Sequence, residues 1–158
     1  MKIKFKLGEN AVMPTHSNRD AGYDLYAAQE VVIKSLDRAL IPTNIYWEVE
    51  YNYGAQDYQA YRFGDVNLGI YCDIRDRSGN ALKKGLTVLG GIVDEEYRGI
   101  IGVILFNTSK DDVIIKVGDK IAQAIFTPCF LPVLEEASSI SETQRGSNGF
   151  GSSGVAGA

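Results

Sequence analysis

The chain has 158 residues, 45% hydrophobic and 23% charged, with a formal net charge of -4 at pH 7 and a sequence pI near 5.0. That length suits one domain with its own core, and the acidic balance argues against nucleic acid as the main partner, because such binding depends on Lys and Arg neutralising phosphates. No apolar run reaches membrane-spanning length, and the opening MKIKFKLGEN alternates lysine with apolar residues as a strand does, so no membrane association and a cytoplasmic location are expected.

In chain order, short β-branched and aromatic runs recur: IKFKL, VVIKS, ALIPTNIYWEVEY, VNLGIYCDI, LTVLGGIVD, IIGVILFN, DVIIKV and KIAQAIFTPCF. Glycine, proline, asparagine or aspartate usually separates them, and none sustains a helical apolar period, which predicts an all-β sandwich or jelly roll. One short helix is expected in RSGNALKKGL, with Ser78 as N-cap, Asn80 to Lys84 as about one turn, and Gly85 as a left-handed C-terminal cap. Five of the nine tyrosines, Tyr46, Tyr51, Tyr53, Tyr58 and Tyr61, fall within YWEVEYNYGAQDYQAY, which reads as a long hairpin or arm. Cross-strand packing explains them most simply; a surface for a protein partner is the alternative. Cys72 and Cys129 lie in strand-like runs and read as buried, reduced thiols. No internal repeat or interdomain linker interrupts the chain.

Histidine restricts the chemistry by its scarcity. His16, the only one, sits in the polar stretch PTHSNRD, so nucleophilic triads and His-based zinc chemistry would hang on one poorly placed residue. A base is therefore expected to be a carboxylate. GGIVDEEYRG offers Asp94, Glu95 and Glu96 after an apolar strand. Such triplets are usually solvated turns, but Asp94 follows Ile92 and Val93 directly and is expected to face a pocket wall while Glu95 and Glu96 meet water. There it could deprotonate a bound water.

Arg77, Ser78 and Gly79 join an arginine to a helix start, a place that suits an anion and equally an ordinary capped turn. Gln123, in GDKIAQ, is a neutral donor and acceptor in an apolar strand, explained most simply by bonding to backbone. Asp24, in AGYDLYAA, is a turn acid or a carboxylate for a hard cation. Near the end, RGSNGFGSSG has the GxxxxG spacing of a P-loop, but Ser152 stands where the lysine belongs and too little chain remains for the following helix. A Walker-type site is excluded. What remains is Arg145 as a fixed charge, hydroxyls, Phe150, and glycines that let main-chain N–H groups approach an anion.

Individually these stretches are weak signals. In their order, AGYDLYAA, RSG, VDEEYRG, GDKIAQ and RGSNGFGSSG resemble the five motifs of the trimeric dUTPase family, from about Ala21 to Gly154. The resemblance implies a distorted jelly-roll subunit with one short helix, residues 1–144, carrying a Tyr-rich insertion at about 46–66, and a flexible arm, 145–158, that closes the site. It implies a homotrimer with shared active sites that hydrolyses dUTP to dUMP and pyrophosphate with Mg2+, limiting uracil in DNA and supplying dUMP for dTMP synthesis. Asp94 matches the base that activates water at the α-phosphorus, and Tyr97 the tyrosine under the deoxyribose that excludes a 2'-hydroxyl. Val88, Gly91 and Ile92 match the uracil-reading hairpin. Arg77, Ser78 and Gly79 match the phosphate turn, and Gln123 a glutamine that reaches the phosphates. Asp24 matches an aspartate that holds magnesium through water. Arg145, Phe150, Gly151 and Ser152 match the closing arm.

Three departures stand out. Asp76 replaces the proline common before the arginine and would add negative charge near the phosphates. Asn80 replaces an apolar residue, which would change how the short helix packs, and Val88 stands where many members have an asparagine. The nearest rival on the same fold, dCTP deaminase, needs a glutamate where this chain has Ile104. A binding or regulatory protein that kept the fold is the rival of another class.

Overall fold

The computed structural model describes residues 1–51, 62–63 and 66–147. Twelve strands and one helix lie among them: β1 Lys2–Leu7, β2 Tyr23–Tyr26, β3 Val31–Ile33, β4 Arg38–Pro42, β5 Ile45–Glu50, β6 Arg62–Phe63, β7 Val66–Arg75, α1 Ser78–Lys84, β8 Leu86–Leu89, β9 Ile92–Val93, β10 Gly102–Asn107, β11 Val113–Ile115 and β12 Lys120–Leu131. Every pairing is antiparallel. Four sheets result: β1 with β5, β4-β10-β8, β3 with β11, and β2-β12-β7-β6 with β9 also against β7. This is the all-β jelly roll that the alternating runs predict.

The alternation is legible strand by strand. In β10, Val103, Leu105 and Asn107 are buried while Ile104 points outward; in β7, Ile70, Cys72 and Ile74 turn in. Val103, Leu105, Cys72 and Ile74 form one core with Trp47, Leu25, Ile41, Ile45, Leu86, Ile115 and Ile121, the expected outcome of period-two patterning on packed sheets. The run ALIPTNIYWEVEY, which reads as one segment, is two strands, β4 and β5. The break falls at Thr43 and Asn44, where Asn44 takes a left-handed φ of 53° and the buried Thr43 hydroxyl donates to the Ile101 carbonyl at 2.6 Å.

Helix α1 begins one residue before the expected cap. Arg77, extended at φ -89° and ψ 123°, is the N-cap residue, and no side chain caps the helix. Its end agrees with the sequence: Gly85 is left-handed at φ 65° and its N–H donates to the Ala81 carbonyl at 3.1 Å. Asn80 ties the helix to β12, its amide nitrogen donating to the Lys120 carbonyl at 2.9 Å and the Ile121 carbonyl at 3.3 Å. That polar docking replaces the apolar contact an aliphatic residue would make.

Cys72 is fully buried, as expected, and burial pushes its thiol up to about 12; Cys129 is only half-buried. Of the Tyr-rich segment, Tyr46 lies in β5 and Tyr51 just after it, while Tyr53, Tyr58 and Tyr61 fall outside the described residues, as do Phe150, Gly151 and Ser152. No described helix is long and apolar enough to cross a membrane.

One buried polar side chain holds the lower loops together. Asn107, with no exposed surface, donates from Nδ2 to the carbonyls of Asp111 at 2.8 Å and of Ile33 and Lys34 at 3.2 Å each, and its Oδ1 accepts from the Ser109 N–H and hydroxyl. Removing the amide leaves several backbone groups dry, and each unsatisfied group costs on the order of 1–3 kcal/mol. Asn107→Ala is expected to lower unfolding free energy by roughly 3 kcal/mol in urea titration, against less than about 0.5 kcal/mol for an exposed substitution such as Lys110→Ala.

Candidate active site

Three recesses follow one another along β7 and the turn after it. The first is a cleft of about 620 Å³ whose wall includes Asp24, Arg77, Ser78, Gly79, Lys120 and Gln123. Strand pairing places these groups: Asp24 on β2 lies opposite Gln123 on β12, which lies opposite Arg75 on β7, two residues before Arg77. Arg77 Nε donates to Asp24 Oδ1 at 2.8 Å, and Lys120 Nζ lies 2.8 Å from Asp24 Oδ2. The bond to Asp24 raises the Lys120 pKa above its ordinary value. Asp24 is therefore a strand residue that holds two cations at the cleft wall, and not a turn acid. Gln123 bonds to backbone as its simplest reading anticipated, Nε2 donating to the Asp76 carbonyl at 2.8 Å. It packs so tightly on Gly22 that a Cβ there would clash with its Oε1.

The second recess, about 640 Å³, is walled by Val88, Gly91 and Ile92 together with Thr87 and residues 73–76 of β7 and its end; the hairpin expected from sequence is here a turn between β8, which pairs with β10, and β9, which pairs with β7. The hairpin lies directly on β7. Ile74 N–H donates to the Gly91 carbonyl at 2.7 Å, and a Cβ on Gly91 would clash with the Ile74 carbonyl oxygen, so only glycine permits this approach. Asp76 adds a side-chain tie, its Oδ1 accepting from the Val88 N–H at 2.5 Å and its Oδ2 from the Thr87 hydroxyl at 3.0 Å.

The third recess holds Asp94, Glu95, Glu96 and Tyr97 of the acidic turn beside Leu68 to Tyr71 of β7. Here the orientation expected from sequence is reversed. Glu95 is the half-buried carboxylate, while Asp94 is exposed at the recess mouth. The cause is a gap in the ladder: β7 pairs with β6 through Val66 and Asn67 and with β9 through Cys72 and Asp73, which leaves the Ile70 N–H without a strand partner. A buried N–H must find an acceptor, and Glu95 Oε2 supplies it at 2.9 Å while Oε1 accepts from the Tyr51 hydroxyl at 2.8 Å. Asp94 thus keeps its carboxylate uncommitted: among the described residues nothing donates to it, and only its carbonyl is engaged, by the Tyr97 N–H at 3.1 Å. Tyr97 lies half-exposed over Gly99, which has no room for a Cβ beneath the ring. Arg145 is exposed in the turn at residues 144–147.

The structure thus gathers Asp24, Arg77, Ser78, Gly79 and Gln123 in one cleft, Val88, Gly91 and Ile92 in a second, and Asp94 and Tyr97 in a third. Sequence reasoning overlooked Lys120, Glu95 and the bonding of Asp76. Lys120 had a signal, since it stands inside GDKIAQ three residues before Gln123. Glu95 had none, because the vacancy at Ile70 exists only once the strands are paired.

Comparison with known proteins agrees with this geometry. The dUTPase family model matches residues 9–56 and 54–154. Over 150 residues the chain is 41% identical to the deoxyuridine 5'-triphosphate nucleotidohydrolase of Rattus norvegicus, covering 94% of this chain and 65% of that one; the chain thus spans about two thirds of the rat protein's length. The enzyme of the same name from Nautilia profundicola is 38% identical over 158 residues, covering 98% of this chain and 99% of its own. Among solved structures, a Staphylococcus bacteriophage 80alpha dUTPase with dUpNHpp superposes with a TM-score of 0.79 at 26% identity, covering 98% of this chain and 99% of that one. The chain belongs to the dUTPase family.

Proposed function

We propose that the chain hydrolyses dUTP to dUMP and pyrophosphate, with Asp94 as the base that takes a proton from the water attacking the α-phosphorus. The observation that carries the reading is the contrast within the acidic turn. Glu95 is committed to the backbone, whereas Asp94, at the position of the family's catalytic aspartate, presents an open carboxylate at a recess it shares with Tyr97. A base must reach the proton it removes to within about 3 Å, directly or through one water. Exposure in the free chain leaves Asp94 open to the water and nucleotide that family members accommodate.

One copy cannot supply both base and phosphate cleft. Asp94 follows Val93, which pairs with Cys72, whereas the cleft is level with Arg75 and extends beyond it to Arg77. A strand rises about 3.3 Å per residue, and neighbouring strands are about 4.8 Å apart. Asp94 is thus level with Tyr71, and four residues along β7 with the three strand spacings from β9 to β2 separate it from Asp24 by roughly 20 Å. A second copy that places its phosphate cleft against this acidic turn removes the conflict, so the reading includes the family's homotrimer with shared sites. The segment after β12 fits such an assembly, since Val133, Leu134 and Ile140 are 85–96% exposed, an arrangement that only a covering surface makes favourable.

The cleft divides the work of binding. Arg77 offers a fixed guanidinium, Ser78 a hydroxyl, and Lys120 a second cation, while the Gln123 amide spans to the Asp76 carbonyl and keeps Oε1 for a donor. Tyr97 presents a flat face to the sugar, and Val88, Gly91 and Ile92 present hairpin main chain to the uracil. Mg2+ fits only as a partner of the substrate. Among the described residues no three carboxylate, histidine or cysteine groups cluster, and both Asp24 oxygens already face cations. Each carboxylate oxygen has a further lone pair, so Asp24 can still accept from a metal-held water. When bound there, the ion would neutralise phosphate charge. Arg145, Phe150, Gly151 and Ser152 complete the site as a closing arm, residues 145–158, whose ordering excludes water. A cytoplasmic setting goes with the nucleotide substrate.

Two experiments test this. In a pyrophosphate-release assay with Mg2+, Asp94→Asn is expected to bind dUTP as the wild type does and to lose turnover by about 10²-fold or more; unchanged turnover removes Asp94 from the mechanism. A chain ending at residue 144 is expected to keep its thermal midpoint and its mass in solution while losing most of its activity. Full activity in the shortened chain would show that the arm closes nothing.

A further inference from the structure

We infer that Asp76 is a positioning residue for the nucleotide, locking the uracil-reading hairpin to the phosphate turn. The inference rests on the reading above but concerns a residue that replaces the family's common proline. By charge alone Asp76 looks like a liability beside a triphosphate. Its bonds give it a different part.

Asp76 stands where β7 ends, one residue before Arg77, and belongs to both binding surfaces. Its carboxylate faces the hairpin recess, where Oδ1 accepts from the Val88 N–H at 2.5 Å and Oδ2 from the Thr87 hydroxyl at 3.0 Å. Its carbonyl turns to the other side and accepts from Gln123 Nε2 at 2.8 Å in the phosphate cleft. On the hairpin's other edge, the pairing of β8 with β10 sets Val88 opposite Leu105. Beyond the short β7–β9 ladder, the hairpin is held against the end of β7 by the Ile74–Gly91 backbone bond and by the Asp76 carboxylate. A proline at this position has no carboxylate and leaves the Val88 N–H and the Thr87 hydroxyl without their acceptors. The bonds also answer the charge problem, because both carboxylate oxygens point at donors of the hairpin and not into the cleft.

If the carboxylate fixes the hairpin, its loss should weaken recognition of the base before it weakens chemistry, because Asp94 is held separately by the Glu95 anchor. Steady-state kinetics of full-length Asp76→Ala and Asp76→Asn with dUTP, dCTP and dTTP test this. Asp76→Ala is expected to raise KM for dUTP about tenfold, as loss of a half-buried charged acceptor should, with kcat changed less than about threefold and the preference for dUTP over dCTP reduced. Asp76→Asn keeps an acceptor at Oδ1 and is expected to recover most of that loss. The inference is overturned if Asp76→Ala keeps the wild-type KM and base preference. It is equally overturned if its effect is a fall in kcat and thermal midpoint that Asn does not relieve, which would make the residue merely structural. A wild-type chain that released no pyrophosphate from dUTP would instead sink the functional reading, before any variant is made.

Discussion

The antiparallel pairing of β12 with β7 is the constraint on which the rest of the molecule depends. It runs without a break from Gln123 opposite Arg75 to Leu131 opposite Asn67. Both strands are long and β7 buries Ile70, Cys72 and Ile74 at alternate positions, so a slip of one residue would turn these side chains out of the core. The same register delivers Gln123 beside Asp76 and Asp24 within reach of Arg77. Core packing and site geometry are therefore one specification. The β2–β12 pairing shifts register between Lys120 and Ala122, where Lys120 reaches Asp24. Bulges commonly redirect a side chain in this way.

An acidic chain that takes a polyanion must keep its cations in place without letting them repel one another. Asp24 does this for Arg77 and Lys120, with its side chain 20% exposed between them. The trio carries one net positive charge, and it presents two positive groups that are already oriented, which lowers the ordering cost of binding an anion. Asp76 and Glu95 have the same logic at different places. Each aims a carboxylate at backbone N–H groups that the strands leave over, so that a negative side chain becomes part of the ladder. Three acids of the binding region are thus spent on architecture, while Asp94 and Glu96 are exposed at the third recess.

The sequence carried more of the fold than of the site's inner geometry. Alternation in IIGVILFN and VNLGIYCDI is enough to put Val103, Leu105, Ile70 and Cys72 inside, because a strand's side-chain period is fixed by its backbone. The Gly85 cap was legible for a similarly local reason, since a left-handed residue ending a short polar helix favours glycine. The family motifs named the chemistry-bearing residues by their order. What they could not convey was which acid of DEEY turns inward, because that depends on an unpaired N–H in a distant strand. The same holds for Asp76: its sequence neighbours suggested repulsion, and only the proximity of Val88 and Thr87 in the folded chain turned the charge into a tie.

The spacing of the three recesses along β7 makes the proposed assembly a consequence of strand geometry. Extended chain is a good ruler and a poor hinge, so groups that lie several residues apart on β7 cannot be drawn together by closing one subunit around a nucleotide. Within one copy the hairpin and the proposed phosphate turn do meet, at Asp76, but Asp94, the proposed base, is separated from Asp24 by β7 and β12. A second copy resolves this by juxtaposition and needs no internal motion. In the proposed assembly the exposed Asp94 and the exposed apolar residues after β12 have one explanation, a surface meant for another copy of the same chain. The sheet fixes the distances along β7, so the proposed approach of Asp94 to a phosphate cleft has to come from how copies are placed.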